Sequence, residues 1–111
     1  MQEESYLTTL RRSLWYLLAG TRGGITRIRI IMLLRERPYN ANQIKDALEL
    51  DYKTVQHHLK VLSDERVIST SEEKKYGSMY FLSPLLDKNM YIIDEILDKT
   101  GENKLNRRRK R

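Results

Sequence analysis

The chain has 111 residues, 21 of them basic and 15 acidic, and it contains no cysteine. This length allows one domain with a modest core, and the lack of cysteine excludes disulfides and thiolate metal sites, as expected in a reducing cytoplasm. The longest N-terminal apolar run, Leu14 to Ala19, is far shorter than the roughly 20 residues of a membrane-spanning helix, so we expect a cytoplasmic protein with no membrane partner.

The excess positive charge is concentrated at the C-terminus. Residues 104–111 read KLNRRRKR and hold six of the 21 basic residues, and the rest of the chain is balanced, with 15 basic and 15 acidic residues. We therefore expect residues 101–111 to be a disordered basic tail. The stretch from Arg22 to Lys60 is also basic, with eight basic residues against four acidic ones.

The first predicted element is an amphipathic helix from about Glu3 to Leu18, which ends before the glycine-rich break at residues 20–24. A second helix is predicted from Gly24 to Arg37, where Pro38 ends it, because a proline forces the preceding residue out of the α region.

A short helix from Asn42 to Leu48 is predicted next, with Asn40 as its cap. Glu49 and Leu50 then form a tight turn before another cap residue, Asp51. The order of helix, short helix, turn and helix is the helix-turn-helix arrangement.

The helix that follows, within the sequence LDYKTVQHHLKVL from Leu50 to Leu62, has two different sides. Its apolar side, with Val55, Leu59 and Leu62, can be buried. Its polar side presents an amide, an imidazole and two cations, and its first acid is Asp64 at the far end. Such groups hydrogen-bond base edges and pair with phosphates, so the pattern predicts a DNA-reading helix.

A β-hairpin is predicted after this helix. Val67 to Glu73 alternates and is β-branched, Lys74 to Ser78 is a turn that contains a glycine, and Met79 to Leu82 is a second strand. Ser83 as N-cap and Pro84 as the first helical residue then mark the start of a last helix, expected to run from Pro84 to Thr100. The predicted fold is mainly α with a small β-hairpin wing: a winged helix-turn-helix with extra N- and C-terminal helices.

The segment from about Thr26 to Leu85 resembles the winged helix-turn-helix domain of the ArsR-like transcriptional regulators, particularly their compact archaeal versions. The motif TVQHHLKVL, from Thr54 to Leu62, carries the resemblance together with Arg66-Val67-Ile68 and the wing. Two features depart from the family pattern. Arg66 stands where the family commonly has a glycine, and the cysteine pair of the metal-sensing members is absent.

The resemblance implies a dimer. In ArsR-like regulators the terminal helices form the dimer interface, and exposed apolar stripes on a small domain point the same way. The alternative is that these helices fold back on their own domain. We predict a dimerisation helix at 1–20, a DNA-binding domain at 21–83 and a second dimerisation helix at 84–100. The expected interface residues are Leu7, Leu10, Leu14, Trp15, Leu18, Met90, Ile93, Ile96 and Leu97.

The expected DNA contacts come from the DNA-reading helix, the start of the short helix and the wing. They are Asn42, Gln43, Tyr52, Lys53, Thr54, Gln56, His57, Lys60, Lys74, Lys75, Tyr76 and Ser78. His58 lies towards the apolar side, so we expect it to be a hydrogen-bonded, partly buried histidine rather than a ligand or a base contact.

The chain is therefore predicted to be a sequence-specific regulator, expected to be a repressor, that binds double-stranded DNA as a homodimer. We expect no enzyme activity, cofactor or metal, since the sequence has no phosphate loop, no HExxH motif and no nucleophile with a plausible base. Two alternatives remain. One is a winged-helix protein-interaction module, and the other is a regulator whose Leu14-Trp15-Tyr16 stretch lies at a membrane surface.

Overall fold

Six helices and three short strands make up the described part of the chain. A computed structural model describes residues 2–71 and 77–101, with side chains from residue 4. The elements in chain order are α1 (Gln2–Ala19), α2 (Gly24–Glu36), β1 (Tyr39–Asn40), α3 (Ala41–Leu48), α4 (Tyr52–Asp64), β2 (Ile68–Thr70), β3 (Met79–Leu82), α5 (Pro84–Lys88) and α6 (Tyr91–Thr100). The predicted fold class, a winged helix-turn-helix with extra terminal helices, is confirmed.

The sheet has three antiparallel strands in the order β1-β3-β2, so β3 is central. Tyr39 pairs with Tyr80, and Ile68 pairs with Leu82. The sequence did not predict β1, because two residues are too short for a periodic pattern. The first wing strand is shorter than predicted. It begins at Ile68 because the amide of Val67 still donates to Leu62 O (2.9 Å) at the end of α4.

All three predicted caps are present, and they set where α3, α4 and α5 begin. Asn40 forms a capping box with Gln43, since each side chain accepts a hydrogen bond from the other residue's backbone amide. The Asp51 carboxylate accepts from Thr54 N, and the Ser83 hydroxyl accepts from Leu86 N. Each cap satisfies a backbone donor that the first helical turn would leave unpaired.

The single C-terminal helix predicted for residues 84–100 is wrong, because α5 and α6 are separate. Asn89 leaves the helical conformation at φ −130° and ψ 38°. Its backbone amide donates to Leu86 O, and its side-chain amide donates to Leu85 O (2.8 Å), so it closes α5. An asparagine side chain that bonds nearby backbone competes with helix continuation.

The apolar faces of the terminal helices are covered within one chain. Seven residues predicted for the dimer interface lie in this core, at 0–9 % exposure: Leu10, Leu14, Leu18, Met90, Ile93, Ile96 and Leu97. Their assignment to a contact between chains is corrected, because α1 packs against α2 and α6 and closes over the core. The alternative, in which these helices fold back on their own domain, is what the structure shows for these residues. Leu7 and Trp15 are only partly buried.

Two non-glycine residues adopt the left-handed backbone conformation, and both flank α4. Glu49 has φ 54° in the turn between α3 and α4, and Arg66 has φ 60° between α4 and β2. The region near φ +60° is sterically unfavourable for residues that carry a Cβ. The glycine that the ArsR-like family commonly has in place of Arg66 is therefore explained by the backbone at this position.

Candidate nucleic-acid interface

The α4 helix is fixed to the protein by its apolar side. Val55, Leu59 and Leu62 are between 0 and 2 % exposed. At the start of the helix the Asp51 carboxylate accepts from Thr54 N at 3.2 Å, which defines the first turn. The outward side chains consequently have a fixed direction relative to the domain.

The opposite side of α4 faces solvent, as predicted. Five of the expected DNA-contacting residues are exposed along it, namely Lys53, Thr54, Gln56, His57 and Lys60. Tyr52, in the first turn, is partly buried. The structure therefore brings together two cations, an amide, a hydroxyl and an imidazole on one accessible face.

One of the two cations on this face has an acidic partner. Lys60 Nζ lies 3.1 Å from Asp64 Oδ2, and both side chains are largely exposed, at 77 % and 61 %. Such exposed pairs contribute little, about 0.3–0.5 kcal/mol for a helical i,i+4 pair, so a phosphate can displace Asp64.

The start of α3 supplies two more predicted contacts. Asn42 is partly buried and Gln43 is exposed. The capping box uses the side-chain oxygen of Gln43, which accepts from Asn40 N at 2.9 Å. A phosphate oxygen needs a donor, and the Gln43 amide nitrogen takes no part in that bond.

Arg37 was not assigned a role from the sequence. Its guanidinium stacks on the Tyr39 ring, 3.8 Å from the ring centroid, and Nη1 donates to Pro38 O at 2.9 Å. Arg37 is exposed and precedes the strand that leads into α3. The stack holds a cation close in sequence to the α3 N-terminus, where phosphates are favoured. The sequence signal that was available is an arginine two residues before a tyrosine, with Pro38 between them.

The wing is only partly covered by the described residues. Lys74, Lys75 and Tyr76 lie outside them, as do residues 102–111, which include the basic tail. Ser78 is 7 % exposed, which corrects its assignment as a DNA contact. The chain turns at Gly77, with φ 82°, and enters the sheet at Met79, so Ser78 is held against the protein.

A polar cluster lies beneath α4. His58 is 7 % exposed and Arg27 is 5 % exposed, and Arg27 Nη1 lies 3.1 Å from His58 Nδ1. The prediction that His58 is hydrogen-bonded is confirmed, and His58 is more buried than the partly buried side chain that was expected, but Arg27 was missed. The spacing in the sequence could have indicated that Arg27 is buried, because Arg27, Ile31 and Leu34 follow the i, i+4, i+7 pattern of a buried helix face.

Tyr80, on the central strand, is partly buried and lies near Tyr52 at the start of α4. Burial raises the pKa of the Tyr80 hydroxyl, and the neighbouring Tyr52 raises it further. Tyr80 therefore stays neutral over the physiological range, and it packs against the core rather than acting as a charged contact.

Two further properties concern the described residues only. Within 2–71 and 77–101, no three side chains of the types that bind metal ions are grouped together. In the same ranges, none of the helices is long and apolar enough to cross a bilayer.

The arrangement of α3, α4 and the hairpin defines the class of protein: a winged helix-turn-helix protein with an outward polar recognition helix. Residues 25–70 match the sequence model described as "Bacterial regulatory protein, arsR family". This match confirms that the segment resembles the ArsR-like regulators, as predicted, whereas the compact archaeal type stays a prediction. The matched model is that of a family of regulatory proteins, and the helix-turn-helix is a DNA-binding motif.

Solved structures with the same fold extend over most of the chain. Rv0081 from M. tuberculosis is 20 % identical, with a TM-score of 0.61, and the match covers 89 % of this chain and 96 % of that one. Reduced HlyU from Vibrio cholerae is 24 % identical, with a TM-score of 0.60 and coverages of 90 % and 97 %.

A third structure is the homodimeric winged helix-turn-helix DNA-binding domain of Mb0332 from Mycobacterium bovis. It is 13 % identical, with a TM-score of 0.59, and the match covers 86 % of this chain and 80 % of that one. Identities this low establish a shared fold. No curated protein sequence matches the chain.

Proposed function

We propose that this protein is a cytoplasmic regulator that binds a specific double-stranded DNA sequence as a homodimer and represses transcription. The observation that carries the proposal is the solvent-facing side of α4. That side presents Lys53, Gln56 and His57 with no acid before Asp64, while the other side anchors the helix in the core. An exposed helix of this chemistry suits the major groove.

The side chains of α4 divide into two roles. Gln56 lies in the N-terminal half of the helix, where side chains reach base edges, and its amide can pair with both N6 and N7 of adenine. Lys53 and Lys60 are long, exposed cations that suit phosphates. We also propose phosphate contacts for Lys74, Lys75 and Tyr76, and this assignment is based on the sequence alone.

Selection of bound duplexes from a random pool at physiological salt tests sequence specificity. We expect an inverted repeat whose half-sites lie about 34 Å apart. The two α4 helices of a two-fold symmetric dimer would enter major grooves on the same side of the duplex, one helical turn apart. Weak binding without sequence preference would instead favour the protein-interaction module.

Gln56→Ala then tests the assignment of base reading. It should weaken binding to the selected duplex by about 1–3 kcal/mol and relax preference at one base position in each half-site. Lys53→Ala is the matched control and should weaken selected and random duplexes alike, with a shallower salt dependence. Equal losses on all duplexes for Gln56→Ala would make it a backbone contact.

A second copy of the chain is proposed to pack on the accessible side of α1. Leu7, Arg11 and Trp15 follow one another at i, i+4 and i+8, and none of them is fully buried. The Arg11 guanidinium pairs with Glu95 and lies 5.8 Å from the centroid of the Tyr91 ring, so α6 continues the same surface. We call Leu7, Arg11, Trp15 and Tyr91 the outer stripe.

Sedimentation velocity tests the outer stripe. Wild-type protein should be a dimer at micromolar concentration, and Trp15→Glu should be a folded monomer, because it places an unpaired charge in the contact. Tyr6→Glu is the control, since Tyr6 is 58 % exposed on α1 and is not part of the stripe. A wild-type monomer, or a dimer of Trp15→Glu, would overturn this part of the proposal.

Repression is the expected sign of regulation, because a dimer on an inverted repeat excludes other proteins from the same DNA. Transcription in vitro from a promoter that overlaps the selected sequence should fall when the protein is added. A rise in transcript would reverse the assigned sign while leaving specific DNA binding intact.

A further inference from the structure

The Arg27 guanidinium is buried without an acidic partner among the described side chains. Nε donates to Leu17 O at 3.0 Å, Nη2 donates to the Thr21 hydroxyl, and Nη1 contacts His58 Nδ1 at 3.1 Å. The ion pairs of the described residues do not include Arg27. A buried charge is normally paired, so the three neutral acceptors take the place of a carboxylate.

The contact with Arg27 defines the state of His58. A guanidinium has only donors, so the Nη1 to Nδ1 contact is a hydrogen bond only when Nδ1 carries a lone pair. His58 is consequently neutral, with its proton on Nε2. A protonated His58 would direct an N–H group at another N–H group and place two cations side by side.

Gly23 leaves the room that this contact needs. A Cβ on Gly23 would lie 2.7 Å from Arg27 Nη1 and 2.7 Å from His58 Cε1, so the glycine makes room for both side chains. Burial lowers the pKa of His58, and the Arg27 and His57 charges lower it further. Burial also lowers the pKa of Arg27, partly opposed by Tyr16, although an arginine stays charged.

The contact joins the elements that determine the orientation of α4. Leu17 belongs to α1, Thr21 to the turn that follows, Arg27 to α2 and His58 to the middle of α4. His58 is next to His57 and two residues after Gln56, both on the exposed face. We propose that Arg27, through neutral His58, positions α4 on the domain, and that discrimination between DNA sequences requires His58 to be neutral.

This inference rests on the proposed DNA-binding function and adds a residue pair that does not touch DNA. The titratable groups that act on the pair come from three elements: Tyr16 on α1, Arg27 on α2 and His57 on α4 itself. His57 is exposed on the polar face, so its protonation should strengthen binding to phosphates of any duplex. The measurement must therefore compare selected with random DNA.

The test is the ratio of affinities for the selected and a random duplex as a function of pH. NMR titration of the imidazole first locates the pKa of His58 in the free protein, and nitrogen shifts at about pH 7.5 report its tautomer. From about pH 7.5 to one unit below that pKa, the wild-type ratio should fall about tenfold, since only one molecule in about eleven then holds neutral His58. A ratio that stays constant over this range would overturn the proposal.

Variants separate positioning from general loss of structure. His58→Asn places an amide oxygen where Nδ1 lies and does not titrate, so it should keep the discrimination at all pH values. His58→Leu removes the acceptor and should lower the ratio at neutral pH. His57→Asn should retain the pH-dependent fall, and thermal unfolding at each pH confirms that the variants are folded.

Failure of this inference differs from failure of the proposed function. If selection yields no preferred duplex, the proposed function fails. If a preferred duplex is found but wild type and His58→Asn show the same pH profile, Arg27 and His58 have a structural role only. If NMR places the imidazole proton of His58 on Nδ1, the hydrogen bond from Arg27 to that nitrogen would also be contradicted.

Discussion

Replacing Arg66 by glycine should stabilise the protein. Arg66 has φ 60° at the junction between α4 and β2. This conformation costs about 1–2 kcal/mol for a residue with a Cβ and nothing for glycine. Glycine also gives the unfolded chain more freedom, which opposes the gain by about 0.4–1 kcal/mol.

The difference between these two terms predicts a net stabilisation of about 1 kcal/mol for Arg66→Gly. For a domain of this size, that corresponds to an increase in Tm of about 4 °C. Arg66 is exposed and none of the described ion pairs includes it, so its side chain adds little that the substitution would remove. Arg66→Ala keeps the unfavourable conformation and should show no such gain.

Glu65 provides the matched comparison, because it precedes Arg66 and has an ordinary φ of −91°. Urea denaturation should show Arg66→Gly to be more stable than Arg66→Ala, and Glu65→Gly to be less stable than Glu65→Ala. Because glycine is compared with alanine at the same position, both variants lack the original side chain, and its loss does not affect the comparison. If glycine were the less stable substitution at both positions, the argument from backbone conformation would be refuted.

Three further outcomes are expected. Leu14→Ala should lower the free energy of unfolding by about 2–5 kcal/mol, because Leu14 is fully buried within one chain. The loss should be the same at every protein concentration, and a loss that varies with concentration would place Leu14 between chains. The free energy of unfolding should fall as the pH drops below the ordinary histidine value of 6.5. Below that pH the histidine of the unfolded chain binds a proton, whereas His58 in the folded protein stays neutral. The free energy of unfolding should stop falling at the lowered pKa of folded His58, and the fall should be absent in His58→Asn. Asp64→Asn should raise affinity for random DNA at low salt, since it removes an acid 3.1 Å from Lys60, and filter binding would show no change if Asp64 were remote from DNA.

Apart from β1 and the break between α5 and α6, the order of the elements could be predicted from the sequence, and so could the outward face of α4, because both depend on neighbours in the chain. Asn40, Asp51 and Ser83 each accept a hydrogen bond from the backbone amide three residues further on, so their caps are visible in the sequence. The helical spacing of Val55 and Leu59 likewise determines which side of α4 can be buried and which faces solvent.

Tertiary structure decided what covers each apolar face and which distant groups meet. The apolar residues of α1 and α6 predicted that these helices are buried, but not which elements cover them. Only the packing showed that Leu14 and Ile96 lie in the same core. Arg27 and His58 are 31 positions apart, and no local pattern brings a guanidinium to an imidazole nitrogen. Contacts of this kind depend on how helices pack against one another. The sequence therefore determined the polar, solvent-facing surface of α4, and the three-dimensional fold determined what holds that surface in place.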